Sequence, residues 1–243
     1  MITRADIQRI KALSDKRGRE EQGAFIAEGE KLIEELRHAK LHIRNIYATS
    51  ALWPDAEVVT PKEMERISQL KTANSSLAVV DIPHYDLQLA DPSRNLVLAL
   101  DRVQNPGNLG TIIRLADWFG ISDIVCSADC ADCFNPKVIQ ATMGAIIRVR
   151  VHYTDLAKWL AKQQQAGTPI YGTFLDGENI YSKKLTHNGV IVMGNEGQGI
   201  GAGCAATVSE RLYIPPYPTD NNGSESLNVA IATAIICSEF RRR

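Results

Sequence analysis

The 243-residue sequence lacks the long apolar stretch that a membrane span requires. Its longest uninterrupted apolar runs, such as residues 96–100 and 190–193, fall far short of the roughly 18 residues that cross a bilayer. The N-terminus, MITRADIQRIK, carries charge where a signal peptide needs an apolar segment. We therefore expect a cytoplasmic protein.

The sequence also lacks an excess of charge of either sign. Its 27 Lys and Arg residues oppose 28 Asp and Glu residues, so no global positive field marks a nucleic-acid binder. In the first half of the chain the only clear basic excess is in residues 1–20, with six basic and three acidic side chains. Such a run is commonly a solvated helix face and loop, and phosphate contact is the alternative. In that alternative the phosphate-binding side chains are Arg4, Arg9, Lys11, Lys16, Arg17 and Arg19.

Cysteine is scarce, and five is an odd number, which fits reduced thiols better than a disulfide framework. Cys126, Cys130 and Cys133 have the CxxxCxxC spacing of radical enzymes that hold an iron–sulfur cluster. However, Asp132 stands where those enzymes usually have an aromatic residue. A zinc site would need a fourth ligand, and no His lies at finger spacing. We expect inert, partly buried thiols and no metal.

The first third of the chain predicts a small α/β module. Apolar spacing indicates helices over residues 3–14 and 28–40, and IRNIYAT and LAVVDI have the composition of short strands. We interpret SDKRGREEQGAF as a surface loop. The sparse periodicity after Pro83 then predicts a domain of residues 1–83, a linker of residues 84–94, and a second domain of residues 95–243.

The second domain alternates strands and helices, which favours a parallel sheet covered by helices. Residues 95–101 form an apolar run suited to a buried central strand. We predict a helix over residues 111–119, a helix opened by Asn135 and Pro136, a helix capped by Thr154, and a closing helix over residues 225–240 with Ser224 or Ser226 as its cap.

Three segments at predicted strand ends are rich in Gly, Asn and Pro: residues 105–110, 194–201 and 214–230. One such segment is more often a turn than a site. Three on one sheet indicate a binding site, because open α/β sheets bind ligands beyond the carboxyl ends of their strands. The spacing is not GxGxxG and no GxxxxGK[ST] occurs, so dinucleotide and P-loop sites are disfavoured.

The segments NPGNLGTIIRLADWFG, MGNEGQGIG and IPP…SESLNVAIATAI resemble, in order, the three motifs of the SpoU (TrmH-like) ribose 2'-O-methyltransferases of the SPOUT superfamily. NPKVIQATMGAIIRVRV resembles the segment between the first two motifs, so the resemblance covers about residues 95–240. KRGREEQGAFIAEGEKLIEEL is similar to the L30e-like RNA substrate-binding domain of one branch of that family.

The resemblance implies a C-terminal parallel-sheet domain whose last segments form a deep trefoil knot. It also implies a homodimer and a site for S-adenosyl-L-methionine, bound mostly through backbone groups. By motif position the cofactor-binding residues are Gly194, Ile214 and Leu227, with Asn195, Gly199 and Pro215 beside them. Here the link between the Ile-Pro dipeptide and Ser226 is longer than usual in the family.

The implied reaction is attack of a ribose 2'-hydroxyl on the sulfonium methyl, which needs alignment and a proton acceptor but no metal. By motif position Arg114 is the base or a phosphate-bound activator, and a guanidinium normally stays protonated, with a pKa above about 12. Asn108 orients nearby groups, Ser226 and Asn228 place the ribose and Arg114, and Glu196 ties the second motif to the first. Ribosomal RNA is favoured slightly over transfer RNA, and the alternative is a non-catalytic RNA-binding module. We expect the six basic side chains of residues 1–20, together with Arg114, to form the RNA-binding surface.

Overall fold

The computed structural model describes residues 2–218 and 226–242, and the chain divides into two compact units. The N-terminal unit comprises Met1–His84 and Asp132–Ile147, and the C-terminal unit comprises Tyr85–Ala131 and Arg148–Arg243. Residues 132–147 therefore group with the N-terminal unit, although a single boundary near residue 84 assigns them to the second domain. Their partners are distant in sequence: the ring centroids of Phe134 and Phe25 lie 4.9 Å apart.

The helices in the described residues are α1 (Arg4–Ala12), α2 (Lys16–Gln22), α3 (Glu30–His38), α4 (Pro61–Ile67), α5 (Pro106–Trp118), α6 (Pro136–Thr142), α7 (Leu156–Gln165), α8 (Ala202–Ala205) and α9 (Val229–Arg242). The strands are β1 (Ala24–Glu28), β2 (Ile43–Ala48), β3 (Ala56–Val58), β4 (Ser76–Asp81), β5 (Leu96–Leu100), β6 (Asp123–Ser127), β7 (Arg150–Thr154), β8 (Ile170–Asn179), β9 (Gly189–Met193) and β10 (Glu210–Tyr213). Across residues 2–218 and 226–242, no helix is both long and apolar enough to cross a membrane.

The N-terminal unit is built on a four-stranded sheet of order β1-β4-β2-β3. β4 runs antiparallel to β1 and β2, and β3 runs parallel to β2. Helix α1 buries Ile7 and Ile10 in the core of this unit, which is the spacing that predicted it. The helix over residues 28–40 and the two strands are also confirmed, with ends that differ by one or two residues.

The prediction of a loop for SDKRGREEQGAF is wrong, because this segment forms α2 and the first two residues of β1. Its core side chain is Arg19, which is only 2% exposed. The Arg19 guanidinium donates to Oδ2 of Asp132 at 2.8 Å through Nε, and to the backbone oxygens of Leu13 and Ser14 at 2.8 Å through Nη1. A buried guanidinium with all these acceptors cannot contact solvent-borne phosphate, so the assignment of Arg19 to an RNA surface is also wrong.

The C-terminal unit is built on a six-stranded sheet of order β10-β8-β9-β5-β6-β7 in which all paired strands are parallel. Every residue of β5 is buried, which confirms the predicted central strand. Because the strands are parallel, their carboxyl ends share one edge of the sheet. The segments after β5, β9 and β10 therefore begin at this edge.

Three helix starts differ from the sequence prediction because other side chains cap them. Helix α5 begins at Pro106 rather than residue 111, since the Asn105 side chain accepts from the N–H groups of Gly107 at 2.8 Å and Asn108 at 3.2 Å. Asp155, not Thr154, caps α7. The cap of α9 is Asn228, whose Oδ1 accepts from Ala230 N at 3.0 Å.

Part of the C-terminal prediction lies outside the described residues. Ser224 and Glu225 fall in residues 219–225, for which no position is described. The trefoil knot depends on the path of this same segment between β10 and α9, so the knot stays a prediction.

The buried Arg19 contacts predict a large effect on stability. Replacement by Met removes the partner of Asp132 and leaves two backbone oxygens without a donor, so we expect Arg19→Met to lower the free energy of unfolding by about 3–5 kcal/mol. Arg17→Met is the matched control, because Arg17 lies on the same helix with its side chain 88% exposed. Urea unfolding measures both. Equal midpoints for the two variants would contradict the structural role of Arg19.

Candidate active site

The three motif segments are joined by one line of side-chain hydrogen bonds in the C-terminal unit. Asn108, in the first turn of α5, donates through Nδ2 to the carboxylate of Glu196, which follows β9. Asn228, at the start of α9, donates through Nδ2 to Oδ1 of Asn108 at 3.0 Å. We call these three side chains the amide–carboxylate chain. It brings together residues that are 88 and 120 positions apart in sequence.

The amide–carboxylate chain has a fixed direction. A carboxylate can only accept, so the Asn108 amide must present its nitrogen to Glu196 and its oxygen to Asn228. The oxygen of Asn228 is in turn held by the first N–H groups of α9, those of Ala230 at 3.0 Å and Ile231 at 3.3 Å. Each amide is thus oriented by its neighbours, and the start of α9 is held to the start of α5.

The segment after β9 folds into a tight turn held by Asn195. Its Oδ1 accepts from the N–H groups of Gly197 at 2.9 Å and Gln198 at 3.1 Å, and its backbone exchanges two hydrogen bonds with Gly199. Through Nδ2, Asn195 also donates to the backbone oxygen of Arg102 at 2.9 Å. A Cβ on Gly194 would lie 2.3 Å from the carbonyl carbon of Gly199, so this position admits only glycine.

Two side chains at the end of β5 complete this turn, and neither was predicted from the sequence to be a site residue. Asp101 is 5% exposed and accepts from Gly201 N at 2.6 Å. Arg102 donates to Oε1 of Gln198 at 2.7 Å. The sequence did contain a signal for Asp101, because an acidic residue directly follows an apolar strand. A carboxylate buried at a strand end needs a hydrogen-bond donor.

Arg114 and Ser226 stand apart from the amide–carboxylate chain. Arg114 lies on the exposed side of α5 and Ser226 is exposed before α9. Within the part of the chain that the structure describes, neither side chain forms a hydrogen bond or an ion pair. The structure therefore brings Asn108, Glu196 and Asn228 together and leaves Arg114 and Ser226 open to a ligand.

The predicted cofactor-binding residues offer backbone groups rather than side chains. Gly194 follows β9, Ile214 and Pro215 follow β10, and Leu227 precedes α9. Among residues 2–218 and 226–242, the backbone groups of Gly194, Ile214 and Leu227 have no hydrogen-bond partner. Gly194 is buried, whereas Ile214 is half-buried and Leu227 is exposed. A buried backbone group normally has a partner, so the groups of Gly194 fit a ligand that is recognised through the main chain.

The pKa values of the cysteine thiols differ because their surroundings differ. Hydrogen bonding with Cys126, and secondarily with Ser127 and the N–H of Val103, lowers the pKa of Cys130 to about 7 in spite of its burial. Burial instead raises the pKa of Cys204 to about 11 and that of Cys237 to about 12. In the described residues no three His, Cys, Asp or Glu side chains converge as a metal site.

The remaining predicted RNA-binding side chains of the N-terminal unit are exposed, but three of them have acidic partners. Arg9 pairs with Asp6, Arg17 with Glu21 at 2.7 Å, and Lys16 with Glu20 at 3.8 Å. Arg4 and Lys11 have no such partner among the described residues. The positive potential of this surface therefore rests mainly on these two side chains.

The tight turn after β9 predicts a contrast between two glycines. Gly194→Ala forces a Cβ into the backbone of Gly199, so we expect it to lower the free energy of unfolding by about 1–3 kcal/mol. Gly197→Ala is the control, because a Cβ there would meet only Oδ1 of Asn195 at 3.7 Å. Thermal unfolding of both variants checks the contrast. A Gly194→Ala protein as stable as Gly197→Ala would show that the close approach does not exist.

Comparison with known proteins shows which family the chain resembles. The profile of the SpoU rRNA Methylase family matches residues 95–238, and that of the MRM3-like substrate binding domain matches residues 4–81. The chain is 30% identical over 240 residues to the 23S rRNA (guanosine(2553)-2'-O)-methyltransferase RlmP of Bacillus subtilis, covering 95% of this chain and 94% of that protein.

Solved structures give the same result. A TrmH-family protein from Porphyromonas gingivalis is 39% identical, with a TM-score of 0.87 over 100% of this chain and 99% of that one. An AdoMet-bound rRNA methyltransferase from Sinorhizobium meliloti is 28% identical, with a TM-score of 0.89 over 100% of this chain and 96% of that one. The α/β fold predicted from the resemblance is confirmed, and this chain belongs to the SpoU rRNA methylase family.

Proposed function

We propose that this protein is an S-adenosylmethionine-dependent methyltransferase that modifies a ribose 2'-hydroxyl of ribosomal RNA. The observation that carries the proposal is the amide–carboxylate chain, because it joins all three motif segments beside one edge of a parallel sheet. Ligands of open parallel sheets bind at that edge. Membership of a family named for rRNA methylation supports the substrate class.

The cofactor would be held by the free backbone groups of Gly194, Ile214 and Leu227, with Asn195, Gly199 and Pro215 shaping the segments that carry them. When bound, S-adenosylmethionine supplies a methyl group carried on a positively charged sulfur. Because Gly194 has no Cβ, the turn after β9 can close tightly and leave its main chain accessible to the cofactor.

The chain's own residues would align the ribose with that methyl group. Arg114 is free of partners in the described residues, so its guanidinium is available to a phosphate or to the 2'-hydroxyl. It activates the hydroxyl as a base or through the phosphate that it binds. Asn108 and Asn228 hold the starts of α5 and α9 together, and Ser226 places the ribose. Glu196 is occupied by Asn108 and so acts as a tie rather than as an acid or base.

We propose that the protein is a homodimer through its C-terminal domain and that it acts in the cytoplasm, where ribosomal RNA is made in bacteria. The match of residues 4–81 to a substrate-binding domain supports a role for the N-terminal unit in holding RNA. Light scattering in solution measures the oligomeric state directly.

The first test of the proposal is methyl transfer. Labelled S-adenosylmethionine is incubated with the protein and with total RNA from a strain lacking it, and we expect label in 23S rRNA. Arg114→Ala should reduce the rate by about 100-fold or more without changing cofactor affinity. Arg94→Ala, an exposed arginine of the same unit, is the control and should behave as wild type. Tight cofactor binding without transfer to any RNA would favour a non-catalytic RNA-binding module.

The second test is the salt dependence of RNA binding. Arg4, Lys11 and Lys16 are reversed together to Glu, which should weaken binding to 23S rRNA and reduce the salt slope by about 2–3 if each side chain contacts one phosphate. Reversal of Lys31, Lys62 and Lys71, which are also exposed in the N-terminal unit, is the matched control. An identical slope for both triple variants would exclude the N-terminal patch.

A further inference from the structure

The connection from β5 towards helix α5 turns sharply at residues 100–103, which we call the β5 turn. Within it Arg102 has a φ angle of +57°, in the left-handed region that a residue with a long side chain seldom adopts. Such a backbone conformation persists where the surrounding structure imposes it. The β5 turn therefore depends on contacts that hold its backbone in place.

The β5 turn is fastened to the turn after β9 through both side chains and backbone. Oδ2 of Asp101 accepts from the N–H of Gly201 at 2.6 Å. Nη1 of Arg102 donates to Oε1 of Gln198 at 2.7 Å, and its backbone oxygen accepts from Nδ2 of Asn195 at 2.9 Å. The turn after β9 thus takes its position from the β5 turn.

Two side chains, one at the end of β6 and one three residues later, hold the backbone of the β5 turn. Sγ of Cys130 donates to the backbone oxygen of Leu100 at 3.2 Å and accepts from the N–H of Val103 at 3.3 Å. A single thiol therefore joins the first and last residues of the β5 turn. Oγ of Ser127 accepts from the N–H of Arg102 at 2.9 Å and lies 3.6 Å from Sγ of Cys130.

The polar contacts of Cys130 distinguish it from other buried thiols of the chain. A buried cysteine usually behaves as a small apolar side chain, and burial accordingly raises the pKa values of Cys204 and Cys237. Cys130 is only 7% exposed, yet hydrogen bonds, first of all with Cys126, lower its pKa to about 7. Its sulfur is thus placed among polar groups that it can bind, rather than among apolar groups that it fills.

We propose that Cys130 is a positioning residue for the cofactor site, acting with Ser127 through the β5 turn on the turn after β9. The thiol fixes the backbone of residues 100–103, and Asp101 and Arg102 then fix the turn that begins at Gly194. The identity of the ligand, S-adenosyl-L-methionine, rests on the proposed function. The hold of Cys130 on the turn after β9 is a property of the protein alone.

The test compares Cys130→Ala with Cys130→Ser. A hydroxyl can donate to the oxygen of Leu100 and accept from the N–H of Val103, whereas a methyl group can do neither. Cys237→Ala is the matched control, because Cys237 is a fully buried thiol of the same unit. Calorimetry measures the Kd for S-adenosyl-L-methionine, and amide hydrogen exchange measures the protection of residues 194–201 without ligand. Urea unfolding measures the stability of each variant.

We expect Cys130→Ala to raise the Kd for S-adenosyl-L-methionine by about 3- to 30-fold, because the β5 turn loses two hydrogen bonds. Amide exchange in residues 194–201 should become faster. KM for the cofactor should rise with Kd, and kcat at saturating cofactor should stay within about 2-fold of wild type. Cys130→Ser should recover most of the affinity, and Cys237→Ala should lose stability while binding the cofactor as wild type does.

A serine separates this role from that of a core filler. If Cys130 only filled space, burying a hydroxyl would be less favourable than burying a methyl group, and Cys130→Ser would be the weaker protein. Wild-type affinity and exchange in Cys130→Ala, no recovery in Cys130→Ser, or an equal loss of affinity in Cys237→Ala would each overturn the proposal. Should Cys130→Ala not fold, Ser127→Ala takes its place, and wild-type affinity and exchange in that variant would overturn it.

The positioning role and the proposed function fail separately. Wild-type protein that methylates RNA while Cys130→Ala binds the cofactor equally well would remove the role of Cys130 and leave the proposed function intact. Wild-type protein that transfers no methyl group, while Cys130→Ala exchanges faster in residues 194–201 and Cys130→Ser does not, would remove the methyltransferase and leave the role of Cys130.

Discussion

The hydrogen bonds that join Glu196, Asn108 and Asn228 are the constraint on which the candidate site depends. They fasten the starts of two helices and the turn after a central strand to one another. Because a carboxylate at one end can only accept, the direction of every bond in the line is set. The site is therefore held by side chains on rigid elements, which is what alignment of a hydroxyl with a methyl group requires.

Next to this line of hydrogen bonds, the main chain rather than the side chains offers polar groups for binding. The turn after β9 approaches so closely to itself that Gly194 has no room for a Cβ, and Asp101 and Arg102 fasten its far side. In the described part of the chain, the backbone groups of Gly194, Ile214 and Leu227 have no hydrogen-bond partner. The cofactor recognition through the main chain that we propose would account for segments rich in glycine and proline rather than in reactive side chains.

The positive charges of the chain divide into those used inside and those left outside. Arg19 is buried in the core of the N-terminal unit, where it binds Asp132 and two backbone oxygens. Arg148 and Arg241 are held on the surface of the C-terminal unit by a carboxylate and by carbonyls at a helix end. The near-neutral chain thus uses one arginine for contacts inside a core and leaves others exposed on its surface.

The sequence by itself determined the secondary-structure types, the parallel sheet and the family, because apolar periodicity, strand–helix alternation and three ordered motifs are local patterns. It also indicated Asn108, Glu196 and Asn228 as site residues through the resemblance. Only the tertiary structure decided that Arg19 is buried, that residues 132–147 group with the N-terminal unit, and that Asn228 rather than a serine caps α9. Each of these depends on partners far away in the chain or on which of several polar side chains reaches a free N–H group, and neither is written in local spacing.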